Sequence, residues 1–108
     1  MSSISQCQYD IERYKTLKSN INSIICQLTQ VIGNTDEFNN EIKTKYQVND
    51  KYTPIVSRTV QLKDNMESTN KYLSNKVIPV IDSFIINLNK EIARLEKVEN
   101  QQKNQWTG

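Results

Sequence analysis

The chain has 108 residues, 36% of them hydrophobic and 24% charged, a formal net charge of +2 and no histidine. That length holds one domain at most. The charges are scattered, with no run of five of one sign, which excludes a polybasic arm and with it nucleic acid as a partner. No stretch approaches the roughly 20 apolar residues of a spanning helix, so no membrane insertion is expected.

Asn and Gln fill the share that apolar residues leave, and Gly and Pro number only two each. So few breaking residues leave the chain few places to turn, which predicts few, long elements. Long elements bury a smaller fraction of their surface than a sphere does, so a partner that adds buried area is expected. The N-terminal stretch MSSISQCQYDIERYK carries no apolar run of signal-peptide length. The expected location is therefore cytoplasmic, or outside the cell by a route without a cleavable signal peptide.

The first element carries a seven-residue beat. Ile4, Cys7, Ile11, Tyr14, Ile21, Ile25, Leu28 and Ile32 recur three and four apart, with Lys18 the polar residue on the beat. Leu17, Ile24 and Val31 widen the stripe on one side. This is the pattern of a core-facing amphipathic helix, with spacing suited to coiled-coil packing. Cys7 and Cys26 lie on this one helix, roughly 28 Å apart at about 1.5 Å per residue, and are read as free thiols. Gly33 interrupts the pattern, and Asn34 with Glu37 reads as a capping box for a restart. Phe38, Ile42 and Tyr46 then continue the helix, supported by a Glu41–Lys45 pair. The first helix is expected over 3–47 with a kink near Gly33.

Residues 47–54, QVNDKYTP, form the expected turn, with Thr53 as N-cap and Pro54 at the first helical position. The second half repeats the periodicity through Ile55, Leu62, Met66, Leu73, Val77, Val80, Phe84, Leu88, Ile92 and Leu95. It predicts a helix over 54–99, kinked by Pro79 near 75–78, and a frayed tail over 100–108. Two amphipathic halves of equal length on either side of one turn predict an all-α fold, an antiparallel two-helix hairpin forming a single domain over 1–108. A four-helix bundle broken at Gly33, the turn and Pro79 is the alternative.

No residue pattern supports catalysis. Without histidine, a Ser or Cys nucleophile lacks its usual base and the His/Cys zinc spacings are absent. Two glycines cannot build a phosphate loop. No catalytic, cofactor-binding or metal-binding residue is predicted, and the chain is read as a non-enzyme. The informative stretch is VIPVIDSFIINL, residues 77–88, whose apolar residues cover an arc of roughly 160°, wider than the nearer 100° that one partner helix covers. Either other helices of this chain cover the excess, or another chain does. In the second case the expected anchors are Ile78, Ile81, Ile85, Ile92 and Leu95, spaced as in helix-in-groove docking. A membrane-surface helix is disfavoured, because the polar face over 82–100 mixes acids with bases.

In length, helical pattern and lack of a leader, the chain resembles the small helical-hairpin proteins of type VII secretion. The segments YKTLKSNINSIICQL and NKVIPVIDSFIINLNKEIARLE make it most similar to the helical accessory proteins encoded beside LXG toxins. WXG-type substrates come second: Trp106-Thr107-Gly108 has that motif's letters, but at the end of the chain rather than in the turn. The Tyr-x-x-x-Asp/Glu export spacing occurs at Tyr46 to Asp50, before the second helix instead of after it. The resemblance implies a helical adaptor that binds the helical N-terminal domain of a larger secreted toxin and assists its export. The alternative from a different class is a self-contained homo-oligomeric coiled-coil protein, in the simplest case a homodimer.

Overall fold

The computed structural model describes residues 3–45 and 52–107, with side chains to residue 103. The fold is all-α, a helical hairpin. One arm is α1 (Ile4–Lys45); the other is α2 (Thr53–Tyr72), a π-helical turn over Leu73–Val77 and α3 (Ile78–Thr107). Most of the expected turn, and the Tyr46–Asp50 spacing that overlaps it, lies outside the described residues. The chain divides into two compact units: residues 1–20 with 78–108, and residues 21–77.

Ser3 caps α1, its hydroxyl accepting a hydrogen bond from the Gln6 amide at 3.1 Å, which satisfies one of the orphan donors of the first turn. α1 then runs unbroken through Gly33, so no helix restarts at Asn34 and no capping box forms there. A single glycine costs only about 1 kcal/mol in a helix interior, less than the seam gains on either side of it. Asp36, within that unused start signal, sits mid-helix and pairs with Lys63 at 2.6 Å. The expected Glu41–Lys45 pair is present at 2.9 Å. α2 begins one residue earlier than expected, with Tyr52 as N-cap and Pro54 in the first turn, where its missing N–H costs nothing. α3 continues past Glu99 to Thr107, so Trp106 and Thr107 stand on a helix.

The seam of α1 follows one heptad phase from end to end. Its seam positions, all buried or half-buried, are Ile4, Cys7, Ile11, Tyr14, Lys18, Ile21, Ile25, Leu28, Ile32, Thr35, Asn39 and Ile42, with Asp10 and Asp36 half-buried beside them. Each is three or four residues from the next, the knobs-into-holes spacing. In the unit of residues 21–77, α1 meets the second arm antiparallel: Asn39 faces Thr59, Asp36 faces Lys63 and Thr29 faces Asn70. In the other unit the pairing is antiparallel too, with Lys18 against Asp82 and Tyr14 against Phe84.

The second arm cannot keep a single phase. Val56, Thr59, Lys63, Met66, Asn70, Leu73 and Val77 are its half-buried seam residues up to the π turn. Continued at heptad spacing, that series would place Val80 and Phe84 on the seam, as the sequence pattern suggests. They are 50% and 45% exposed instead. Past the π turn the seam runs through Ile78, Ile81, Ile85, Leu88, Ile92 and Leu95, one residue out of step. A π turn holds one residue more than the α-helical turn it replaces, and one residue is about 100° of rotation. The π turn thus re-phases the arm so that three isoleucines, rather than Val80 and Phe84, face α1. It falls where Pro79 acts, since the proline ring conflicts with the carbonyl four residues earlier, at Asn75. Where the sequence predicts a kink near 75–78, the helix carries this π turn over Leu73–Val77.

Candidate functional site

The five residues expected to anchor a partner lie on the intrachain seam. Ile81 is only 4% exposed; Ile78, Ile85, Ile92 and Leu95 are half-buried. Their contact surface is largely taken up by the chain itself. Removing them from water stabilises the unit by about 1.5–3 kcal/mol per fully buried side chain, and proportionally less for those half covered. The apolar surface left open belongs to other residues.

In the unit containing α3, that surface is built around Phe84, Val80 and Leu17, which are 45%, 50% and 46% exposed. Phe84 is held in place by Tyr14, with ring centroids 5.4 Å apart and planes tilted by 34°, a geometry worth about 0.5–1.5 kcal/mol beyond burial. A recess of about 440 Å³ lies beside it, lined by Asp10, Arg13, Tyr14 and Leu17. These four are spaced i, i+3, i+4 and i+7, the shape of a hole that receives a knob from another helix. A second recess, of about 370 Å³, is lined by Tyr9, Glu12, Arg13, Thr16, Leu17 and Asn20. Arg13 between them stands 5.8 Å from the Tyr9 ring centroid, a weak cation–π contact at an exposed site.

In the unit of residues 21–77, the two flanks of α1 differ in chemistry. One flank is closed by polar contacts to α2. Asp36 bonds Lys63, raising that ammonium above its ordinary pKa, and the Asn70 amide donates to the Thr29 hydroxyl at 3.1 Å. The other flank carries Ile24, Val31 and Phe38, which are 44–46% exposed. On α2, Ile55 and Leu62 stand one residue before seam positions Val56 and Lys63 and are likewise exposed. In an antiparallel pair the corresponding flanks of the two helices meet, so these residues share the open side.

Polar residues on the seam fix its register. Asn39 is 6% exposed and receives the Thr59 hydroxyl hydrogen at 2.5 Å. A buried Asn at such a position selects the pairing that satisfies it, at a cost in stability. Asn70 is less well served: its side-chain oxygen is buried without a partner among the described residues, a loss of about 1–3 kcal/mol.

The side-chain chemistry is otherwise that of a solvated helical surface. Arg94 and Glu91 bond each other at 2.6 Å, which holds the Glu91 carboxyl below its ordinary range and raises Arg94. Both cysteines are free, Cys7 fully buried and Cys26 exposed. Among the described residues no group of His, Cys, Asp or Glu is placed to hold a metal ion, and no helix is long and apolar enough to cross a membrane. What sequence reasoning missed is the identity of the open residues. The available signal was the phase conflict between the series ending at Val77 and the isoleucines starting at Ile78, with Pro79 beside it.

No protein-family model, curated protein or solved structure matches the chain.

Proposed function

We propose that this chain is a helical adaptor: it binds a helical segment of a larger protein and covers apolar surface there, without catalysis. One observation carries the reading. The π turn moves Val80 and Phe84 out of the intrachain seam and leaves them half-exposed, with Phe84 against Tyr14, which lines a recess. π turns inside helices are frequent at functional sites, and covering the open half of each of these side chains contributes about 1 kcal/mol. Following the sequence resemblance, the client is the helical N-terminal domain of a larger toxin of the LXG class, and the adaptor assists its export through type VII secretion.

The test is co-purification with the client from the native host, using tagged wild type and the Val80→Asp and Phe84→Asp variants. A larger protein with a helical N-terminal region, recovered in stoichiometric amount by the wild type and lost with both variants at unchanged helicity, supports the adaptor. Recovery of the same client by all three removes Val80 and Phe84 from the contact. Ile81→Asp is unsuited to this purpose, because Ile81 is a core residue and a charge there disrupts the unit itself.

A further inference from the structure

In the unit of residues 21–77, the open flank forms a trough between two helices. Ile24, Val31 and Phe38 recur every seven residues along α1, each one residue before a seam position: Ile25, Ile32 and Asn39. Ile55 and Leu62 hold the corresponding place on α2. The register set by Asn39 with Thr59 and by Asp36 with Lys63 brings Phe38 level with Leu62. These five side chains are 44–53% exposed. Together they present roughly 400 Å² of apolar surface, a patch of the size that often serves for binding. The row from Ile24 to Phe38 is about 21 Å long at about 1.5 Å per residue. An apolar face of this length and repeat, on two antiparallel helices, is shaped for a third helix lying along them.

The charges bordering the trough are mostly of one sign. Arg58 stands three residues after Ile55 and four before Leu62, so it borders both. Lys45 follows Phe38 by seven residues at one end, and Lys76 stands one residue before seam position Val77 at the other. Among the described residues of these rows the one acid, Glu41, is already bonded to Lys45 at 2.9 Å. The border between is uncharged: Gln27 and Asn34 on α1, Asn65 and Tyr72 on α2. Asp36 and Glu67 pair with Lys63 on the opposite flank, and among the described residues Arg58 and Lys76 have no ion pair. A helix with acids along the edges of its apolar stripe gives these two cations their counter-charges. A helix with bases there meets like charge, which is costly at an interface.

We propose that this trough takes an acidic amphipathic helix of another protein, its apolar stripe on the five open side chains and its Asp or Glu residues against Arg58 and Lys76. The apolar contact supplies most of the attachment, and the cations select the sign of the partner. The client contact proposed above centres on Val80 and Phe84 in the other unit, so each reading fails on its own variants.

The experiment is fluorescence anisotropy of two labelled synthetic helical peptides of about 21 residues, titrated with the purified full-length chain at about 0.15 M salt. Both peptides carry one leucine stripe; the rows bordering it are glutamate in one and lysine in the other. The glutamate peptide binds in the micromolar range, about tenfold tighter than the lysine peptide. Arg58→Glu/Lys76→Glu reverses that order, and Phe38→Asp abolishes both at unchanged helicity by circular dichroism. Equal binding of the two peptides overturns the proposal. So does binding of neither up to about 100 μM, an order that the double reversal leaves unchanged, or an affinity that survives Phe38→Asp. Two other occupants are tested alongside. A dimer in sedimentation equilibrium that Phe38→Asp disperses gives the face to a second copy of the chain. Binding to vesicles of anionic phospholipid that Phe38→Asp removes gives it to a membrane surface. Either result overturns the acidic helix.

Discussion

Replacing Ile81 or Val80 by alanine tests the phase of the second arm, because the two residues are adjacent and the π turn decides which of them is core. Ile81 is 4% exposed and Val80 50%. Ile81→Ala removes three carbon groups from a buried site, about 2.4 kcal/mol at 0.8 kcal/mol per methylene. A partial cavity adds to this, but a seam between two helices collapses more readily than a deep core, so about 2–3 kcal/mol is expected. Val80→Ala gives up little buried surface and gains a few tenths of a kcal/mol in helix propensity, for a net change within about 0.5 kcal/mol. Urea denaturation followed by circular dichroism at 222 nm gives both values. For a chain of this size, the Ile81 variant should melt about 10 °C or more below wild type and the Val80 variant within a few degrees of it. If Val80→Ala proves the costlier change, the arm enters α3 without the one-residue shift. The assignment of Val80 and Phe84 to the open surface then fails with it.

Gly33→Ala should stabilise the chain by about 1 kcal/mol, raising the urea midpoint. The position is inside a helix, and an added methyl meets nothing within 4 Å, so only the propensity gain remains. Asn70→Leu should leave the urea midpoint close to wild type, since removing a buried oxygen without a partner among the described residues gains about 1–3 kcal/mol and losing the amide's bond to the Thr29 hydroxyl costs about 0.5–1.5 kcal/mol. A midpoint well below wild type would show that the oxygen is satisfied in solution. Stability should be flat with pH between about 4.5 and 10.5, the ordinary values for the two groups. Glu91 is depressed by its bond to Arg94, so its contribution is present above its unfolded value and is lost as pH falls through the folded one. Lys63 is raised by Asp36, so its contribution is present below its unfolded value and is lost as pH rises through the folded one. A titration of the melting temperature that slopes near pH 7 would contradict this.

The sequence by itself determined the helices and the seam of α1. Residues three and four apart from Ile4 to Ile42 keep one heptad phase, and periodicity of that length leaves a helix no other face to bury. It also determined the all-α class and favoured a hairpin, since Gly and Pro are few, but it left a four-helix bundle open. Three features were decided only by packing. Gly33 could end a helix or sit within one; the seam residues on both sides, Ile32 and Thr35, kept it helical because their burial outweighs a local cost of about 1 kcal/mol. Asn34 and Glu37 carried a start signal that means nothing inside a continuous helix. The third is the phase of the second arm. VIPVIDSFIINL holds two overlapping apolar rows, one through Val77, Val80 and Phe84 and one through Ile78, Ile81 and Ile85. Periodicity cannot choose between rows one residue apart. The choice belongs to α1, whose uninterrupted seam takes up the isoleucines, and to the π turn beside Pro79 that rotates the arm to present them.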